Sequence, residues 1–207
     1  MTLNDHELRD IHNTTVSELF DSLEELYLVG LGSDLSTPEG VLRLLAQHSS
    51  VVVRTAVAGN LTAGETLLRV LALDKAARVR AAVVNNPAAP AAVVSQLHDD
   101  EAHEVVHAVA GSSRTSPAKL REMWESGHSE VPLSVLADNP ATPADVLEAL
   151  IAHPDVFVRI EVLKNPNLPQ ELLAAAAKDT HPEVRDRVAK HPSVTEEILH
   201  LLGHHKR

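Results

Sequence analysis

The residues most able to do chemistry in this chain are His103, Glu104 and His107, in the run His103-Glu104-Val105-Val106-His107. On a helix, two histidines four residues apart project to one side, about one turn from each other. They can share a zinc ion, with the intervening glutamate as general base. A catalytic zinc needs a third protein ligand and an open water position. In the extended form of this pattern a glycine and a third histidine follow, and here those places hold Ala110 and Ser113. The other donors nearby, His98, Glu122, Glu125 and His128, form no second pattern. The expectation is therefore a pair of surface histidines, with no metal centre and no cofactor. The zinc-binding or metallohydrolase reading of His103 and His107 is kept as the alternative.

A second set consists of arginines. Arg54, Arg80, Arg159 and Arg185 recur with Asp74 and Asp179, and less regularly with Asp100 and Asp155. A guanidinium fork matches a carboxylate in two parallel hydrogen bonds. The ladder thus reads as structural pairing between neighbouring segments, with recognition of peptide carboxylates or phosphates as its functional alternative. Val106 and Leu133 interrupt it. His200, His204 and His205 read as a frayed tail. There is no Gly-rich phosphate loop, no nucleophile elbow and no cysteine, so thiolate chemistry and disulfides are excluded.

These residues recur because the chain recurs. Pro38, Gly64, Pro90, Pro117, Pro143, Pro169 and Thr195 are spaced by 26 residues, with one spacing of 27. Asn60, Asn86, Ser112, Asn139, Asn165 and His191 keep the same period with the same one-residue insertion. Each period reads as two short helices. The first opens at a Ser/Thr-Pro step (Thr37-Pro38, Ser116-Pro117, Thr142-Pro143), where the hydroxyl caps and proline takes the first turn. The second ends at Asn-Pro, with asparagine expected in a left-handed cap. Apolar slots such as Val41, Leu67 and Val93, and Leu45, Leu71 and Leu97, keep helical spacing. No single period can bury its apolar face, so stacked periods must share one core. With aromatics at only 2% of residues, that core is aliphatic.

The stretch from Thr142 to Asp179, TPADVLEALIAHPDVFVRIEVLKNPNLPQELLAAAAKD, resembles the leucine-rich repeat variant family, akin in form to HEAT-type helical repeats. The resemblance implies an all-α, right-handed α-solenoid over about residues 34–203, in which the second helix can be short and 3₁₀-like. Some members carry a cysteine-ligated iron–sulfur module, which a chain without cysteine does not share.

The expected organisation is an acidic helical cap over 1–33 and a repeat solenoid over 34–207, with about six repeats and a terminal half repeat. Thr15 to Glu18 reads as a capping box, followed by an apolar stripe of Val16, Leu19, Phe20, Leu23, Leu26 and Tyr27. Net charge is −11, and residues 1–39 hold nine acidic residues and one basic residue. No basic stripe is present, so nucleic acid is not an expected partner, and a HEAT-like nucleic-acid-acting protein is the remaining alternative. No apolar run is long enough for a membrane span, and a cytoplasmic protein is expected.

The leading expectation is a non-catalytic scaffold that grips a protein or peptide on the surface formed by second helices. Its lining is expected from Arg54, Thr55, Arg80, His103, His107, Ile160, Glu161, Arg185 and Arg187. Trp124, the single tryptophan, lies beside the insertion at Gly127-His128, and the irregular stretch 98–134 is where specificity is expected to lie. Its place in the slot of Leu97 and Leu150 favours a core role over an exposed anchor.

Overall fold

The computed structural model describes residues 25–127 and 131–204, and these residues are all helix and turn. The N-terminal capping box and most of the apolar stripe behind it lie outside the described residues, as do His128 and His205. Fourteen helices follow in order among the described residues. They are α1 (Glu25–Ser33), α2 (Glu39–Leu45), α3 (Val51–Gly59), α4 (Glu65–Leu71), α5 (Ala77–Asn85), α6 (Ala91–Ser95) and α7 (His103–Gly111). Then come α8 (Pro117–Glu125), α9 (Leu133–Asp138), α10 (Ala144–Ile151), α11 (Val156–Val162), α12 (Gln170–Ala176), α13 (Pro182–Ala189) and α14 (Glu196–His204). Even-numbered helices are the first of a repeat and odd-numbered ones the second. The second helices are α-helical, whereas in the family that the chain resembles they can be 3₁₀-like.

The chain forms two compact units, one up to Leu97 and one from His98. In the first, α3 packs on α1 and α5 on α3, while α4 packs on α6. In the second, α9 packs on α7, α11 on α9 and α13 on α11, while α12 lies between α10 and α14. Each unit is thus a double row of helices. Its core is the aliphatic seam between the rows: Leu42, Val53, Leu68 and Val79 are fully buried in the first, and Leu120, Leu147, Leu173 and Val184 in the second. The helices have five to nine residues, too short to hold in water alone, so this seam supplies their stability.

Two polar ladders fix the repeat register. In the first, a buried asparagine closes α3, α5, α9 and α11. Asn60 Nδ2 donates to Gly32 O and Asp34 O at 2.8 and 3.0 Å. Asn86 repeats this with Ala58 O and Asn60 O, Asn139 with Ala110 O and Ser112 O, and Asn165 with Ala137 O and Asn139 O. The carbonyls at a helix C-terminus have no partner within the helix, and the next repeat's amide supplies one. The asparagines are therefore not left-handed caps. Asn60 and Asn86 have φ of −71° and −72°, and no described non-glycine residue has positive φ. The expected hydroxyl caps also divide. Ser116 accepts from Lys119 N as expected. The buried Thr37 and Thr142 instead donate backwards, to Leu31 O and Leu136 O, satisfying two more orphan carbonyls.

In the second ladder, Arg54 Nε and Nη2 hold the Asp74 carboxylate at 2.6 and 3.0 Å, and Nη1 donates to His48 O and Ser49 O. Arg159 repeats every contact with Asp179, His153 O and Pro154 O. The same turn position holds Asp74, Asp100 and Asp179, whose carboxylates accept the backbone N–H two residues on. His48 and His153 do the same with Nδ1. Where the ladder lacks arginine, at Val106 and Leu133, the corresponding turn positions are Gly127 and His153, so cation and carboxylate are missing together.

His191 stands in the asparagine slot. It is 6% exposed, and its Nδ1 accepts from Ser193 N as Asn165 Oδ1 accepts from Asn167 N. Burial pushes the His191 pKa below its ordinary value. The imidazole is therefore held neutral in the fold while the unfolded chain protonates it near pH 6.5. That contribution to stability is complete above this value and is lost as pH falls toward the depressed folded pKa. The substitution His191→Asn is expected to flatten the decline below pH 6.5. Its amide also faces Leu163 O and Asn165 O, which adds about 1–2 kcal/mol. Urea unfolding at pH 7.5 and 5.5 reads both effects, and an unchanged pH slope would refute the assignment.

Candidate functional site

The second helices present a row of side chains that neither ladder uses. Five of the residues expected on this row behave otherwise. Arg54 is 5% exposed and clamped on Asp74, so it braces the fold and is withdrawn from the surface. Arg80 and Arg185 are half-buried and donate through Nη1 to turn carbonyls of their own repeats. Ile160 is 5% exposed, packed at the floor of a groove. Thr55 is half-buried, with its hydroxyl turned back to Val51 O. His103, His107 and Arg187 are exposed, and Glu161 is half-buried.

Two grooves open along this row in the second unit. One, of about 290 Å³, lies among Gly111, Ser134, Val135, Asp138 and Glu161. The other, of about 400 Å³, is lined by Ile160, Lys164, Glu183, Asp186, Arg187 and Lys190. Its charges are largely paired on its walls: Lys164 Nζ meets Glu161 at 2.7 Å and Lys190 Nζ meets Asp186 at 2.7 Å. Such exposed pairs contribute little to stability and can be re-paired by an arriving partner. On α11, one turn before the groove residue Glu161, Phe157 stands 70% exposed, and Asp155 caps that helix. Sequence periodicity did not single out Phe157. The signal was an aromatic ring in the repeat position that also carries Val52, Arg78, Glu104 and Glu183.

Trp124 is half-buried, not in the core, and Met123 takes the buried place at 4% exposure. The indole is too large for the slot that Leu97 and Leu150 fill. It lies at the edge of an apolar hollow with Val131, Pro132, Leu133 and Leu136. The insertion is absorbed at Gly127, whose φ of +60° is the one positive value among the described residues. A left-handed residue costs a side-chain-bearing amino acid about 1–2 kcal/mol, which glycine avoids.

The His103 and His107 rings lie edge to face with centroids 6.3 Å apart on α7. Among the described residues, no three His, Cys, Asp or Glu side chains are gathered closely enough to hold a metal ion. Glu122 is instead bound to Lys119, which also holds Asp99. His98 has a buried Nε2 without a hydrogen-bond partner among the described residues, and burial, then the Lys119 charge, push its pKa down against Asp99 and Glu122. Elemental analysis of chain purified without an affinity tag is expected to find far less than one zinc per chain. Stoichiometric zinc that disappears in His103→Ala would contradict this.

No family model matches the chain, and no curated protein matches it significantly. A solved structure described as "a leucine-rich repeat variant with a novel repetitive protein structural motif" is similar to it. The match has a TM-score of 0.58, covers 96% of this chain and 83% of that one, and carries 22% sequence identity. The chain has the leucine-rich repeat variant fold. The residues that recur from repeat to repeat in this chain are structural, forming the arginine and asparagine ladders. What differs between repeats is the outward row of the second helices. No helix among the described residues is long and apolar enough to cross a membrane.

Proposed function

We propose that the chain is a non-catalytic scaffold that binds a protein or peptide along the second-helix row of its second unit. The observation that carries this reading is the exposed Phe157 on α11, the helix that also lines both grooves, whose walls carry charges from α9, α11 and α13. An exposed aromatic ring is an anchor of the kind that dominates binding energy at protein interfaces. Mixed charge around it provides the polar rim that sets register and partner choice. Helical-repeat folds offer extended surfaces of this sort. The titratable residues on the row are dispersed or paired, and none forms a nucleophile–base arrangement.

The test is photo-cross-linking in the native cell, with a photoreactive residue placed at Phe157 or Arg187 and, as control, at the exposed Glu171 of first helix α12. Adducts to one polypeptide at the first two positions and not the third support the reading. Equal labelling at all three, or none, contradicts it. The same reading predicts no appreciable binding to duplex DNA. Residues 40–207 hold 17 basic and 20 acidic side chains, so too few phosphate counterions would be released. A gel-shift at about 150 mM salt should show no complex at micromolar chain, and a sub-micromolar complex would refute the expectation.

A further inference from the structure

Arg185 on α13 repeats half of what Arg54 and Arg159 do. Its Nη1 donates to Asp179 O and Thr180 O at 2.6 and 2.9 Å, the counterparts of His48 O and Ser49 O for Arg54. Its Nε and Nη2, which in Arg54 and Arg159 grip an aspartate, meet no carboxylate among the described residues. In the rungs of Arg54 and Arg159 the aspartate lies twenty residues after the arginine. The residue at that distance from Arg185 is His205, which is not an acid and lies outside the described residues.

A second observation marks the same place. Leu199 on α14 is 45% exposed, whereas its equivalents Leu42, Leu68 and Leu173 are 0% exposed and Leu147 is 1% exposed. Each equivalent lies on a first helix that packs against the second helix following it. Between Arg185 and Ala189 of α13 and Leu199 and Leu202 of α14 lies a mainly apolar groove of about 340 Å³. Asp186 stands at its side with its carboxylate on Lys190.

We propose that this groove is a binding site for an aspartate-headed helical segment of a partner polypeptide, with Arg185 taking the aspartate's carboxylate. This deepens the scaffold reading by naming the chemistry of one contact. The molecule supplies the template for the occupant. Asp74 is followed at its fifth and ninth residues by Val79 and Val83, and Asp179 by Val184 and Val188, and all four valines are fully buried. The segment that fits is therefore an aspartate followed by a short helix with branched aliphatic residues at the fifth and ninth places. The aspartate closes the fork in two parallel bonds, and the aliphatic side chains cover Leu199 and Leu202. Arg185 is pre-set for this, because its Nη1 anchors already fix the guanidinium plane.

The probe is a fluorescent synthetic peptide with the sequence of residues 74–85, DKAARVRAAVVN, titrated with the full chain and read by anisotropy. Saturable binding is expected. It should weaken at least about tenfold when the peptide's aspartate is replaced by asparagine, a change that leaves the protein untouched. Arg185→Gln should weaken it similarly, with its fold checked by circular dichroism. No binding, or equal binding of the aspartate and asparagine peptides, overturns the proposal. Binding that acetate at equal concentration abolishes would mean an anion site without peptide selectivity, which also overturns it. So would Arg185-dependent dimerisation of the chain that excludes the peptide, since the occupant would then be a second copy. These outcomes are separable from the scaffold reading, because cross-linking at Phe157 and Arg187 does not depend on the peptide.

Discussion

Replacing Arg54 by methionine is expected to destabilise the first unit by about 3–5 kcal/mol, the usual effect of removing one partner from a buried pair. The side chains of Arg54 and Asp74 are only 6% and 9% exposed, and the Asp74 carboxylate would be left desolvated without its counter-charge. Replacing both residues by methionine does not restore the loss. His48 O and Ser49 O would still lack their donor, and Ala76 N its acceptor, so the double variant is expected to remain about 1–3 kcal/mol below wild type. The pair also sets a pH dependence. Burial raises the Asp74 pKa, but the Arg54 hydrogen bond, the Ala76 N–H and the charges of Arg54 and Lys75 outweigh it. The carboxyl is held below its ordinary value. Its contribution is thus complete above about pH 4 and is lost as pH falls through the lowered folded value. Denaturant titration followed by far-ultraviolet dichroism measures the first effect. A double variant as stable as wild type would refute the role given to the turn carbonyls.

The second large effect is expected at Asn165, which is 0% exposed. Asn165→Ala leaves Ala137 O and Asn139 O without donors and Asn167 N without its acceptor, at a cost of about 2–4 kcal/mol. Asn165→Asp keeps the shape and the acceptor but turns an oxygen toward two carbonyls. It is expected to cost at least as much at pH 7, where the carboxylate is charged. A mild Asp variant beside a severe Ala variant would show that shape, and not the two donated bonds, is what the slot requires.

The period, the helix pairing and the arginine–aspartate rungs are all legible in the residues, because each depends on spacing and on charges of opposite sign. The asparagine's task is not. Asn-Pro after a helix fits a left-handed cap by local chemistry, and only the neighbouring repeat's unpaired carbonyls make the amide a cross-repeat donor. Thr37 and Thr142 mislead for the same reason: their hydroxyls turn to acceptors six residues back, which a local capping rule does not see. Trp124 follows the slot pattern but not the slot volume, so the smaller Met123 is buried in its place. Of the expected surface, His103, His107, Glu161 and Arg187 remain accessible or partly so, whereas Arg54 and Ile160 belong to the interior. An arginine in a repeating slot is ambiguous between bracing and binding until its partner is seen. Arg54 and Arg159 have partners, and the Nε–Nη2 edge of Arg185 has none among the described residues.

Amide hydrogen exchange of the full chain, alone and with the polypeptide recovered by cross-linking at Phe157, tests the central claim most directly. Exchange is expected to slow in α9, α11 and α13, with first helices α10 and α12 unchanged. Slowing confined to α10 and α12, or absent from α11 and α13, would contradict it.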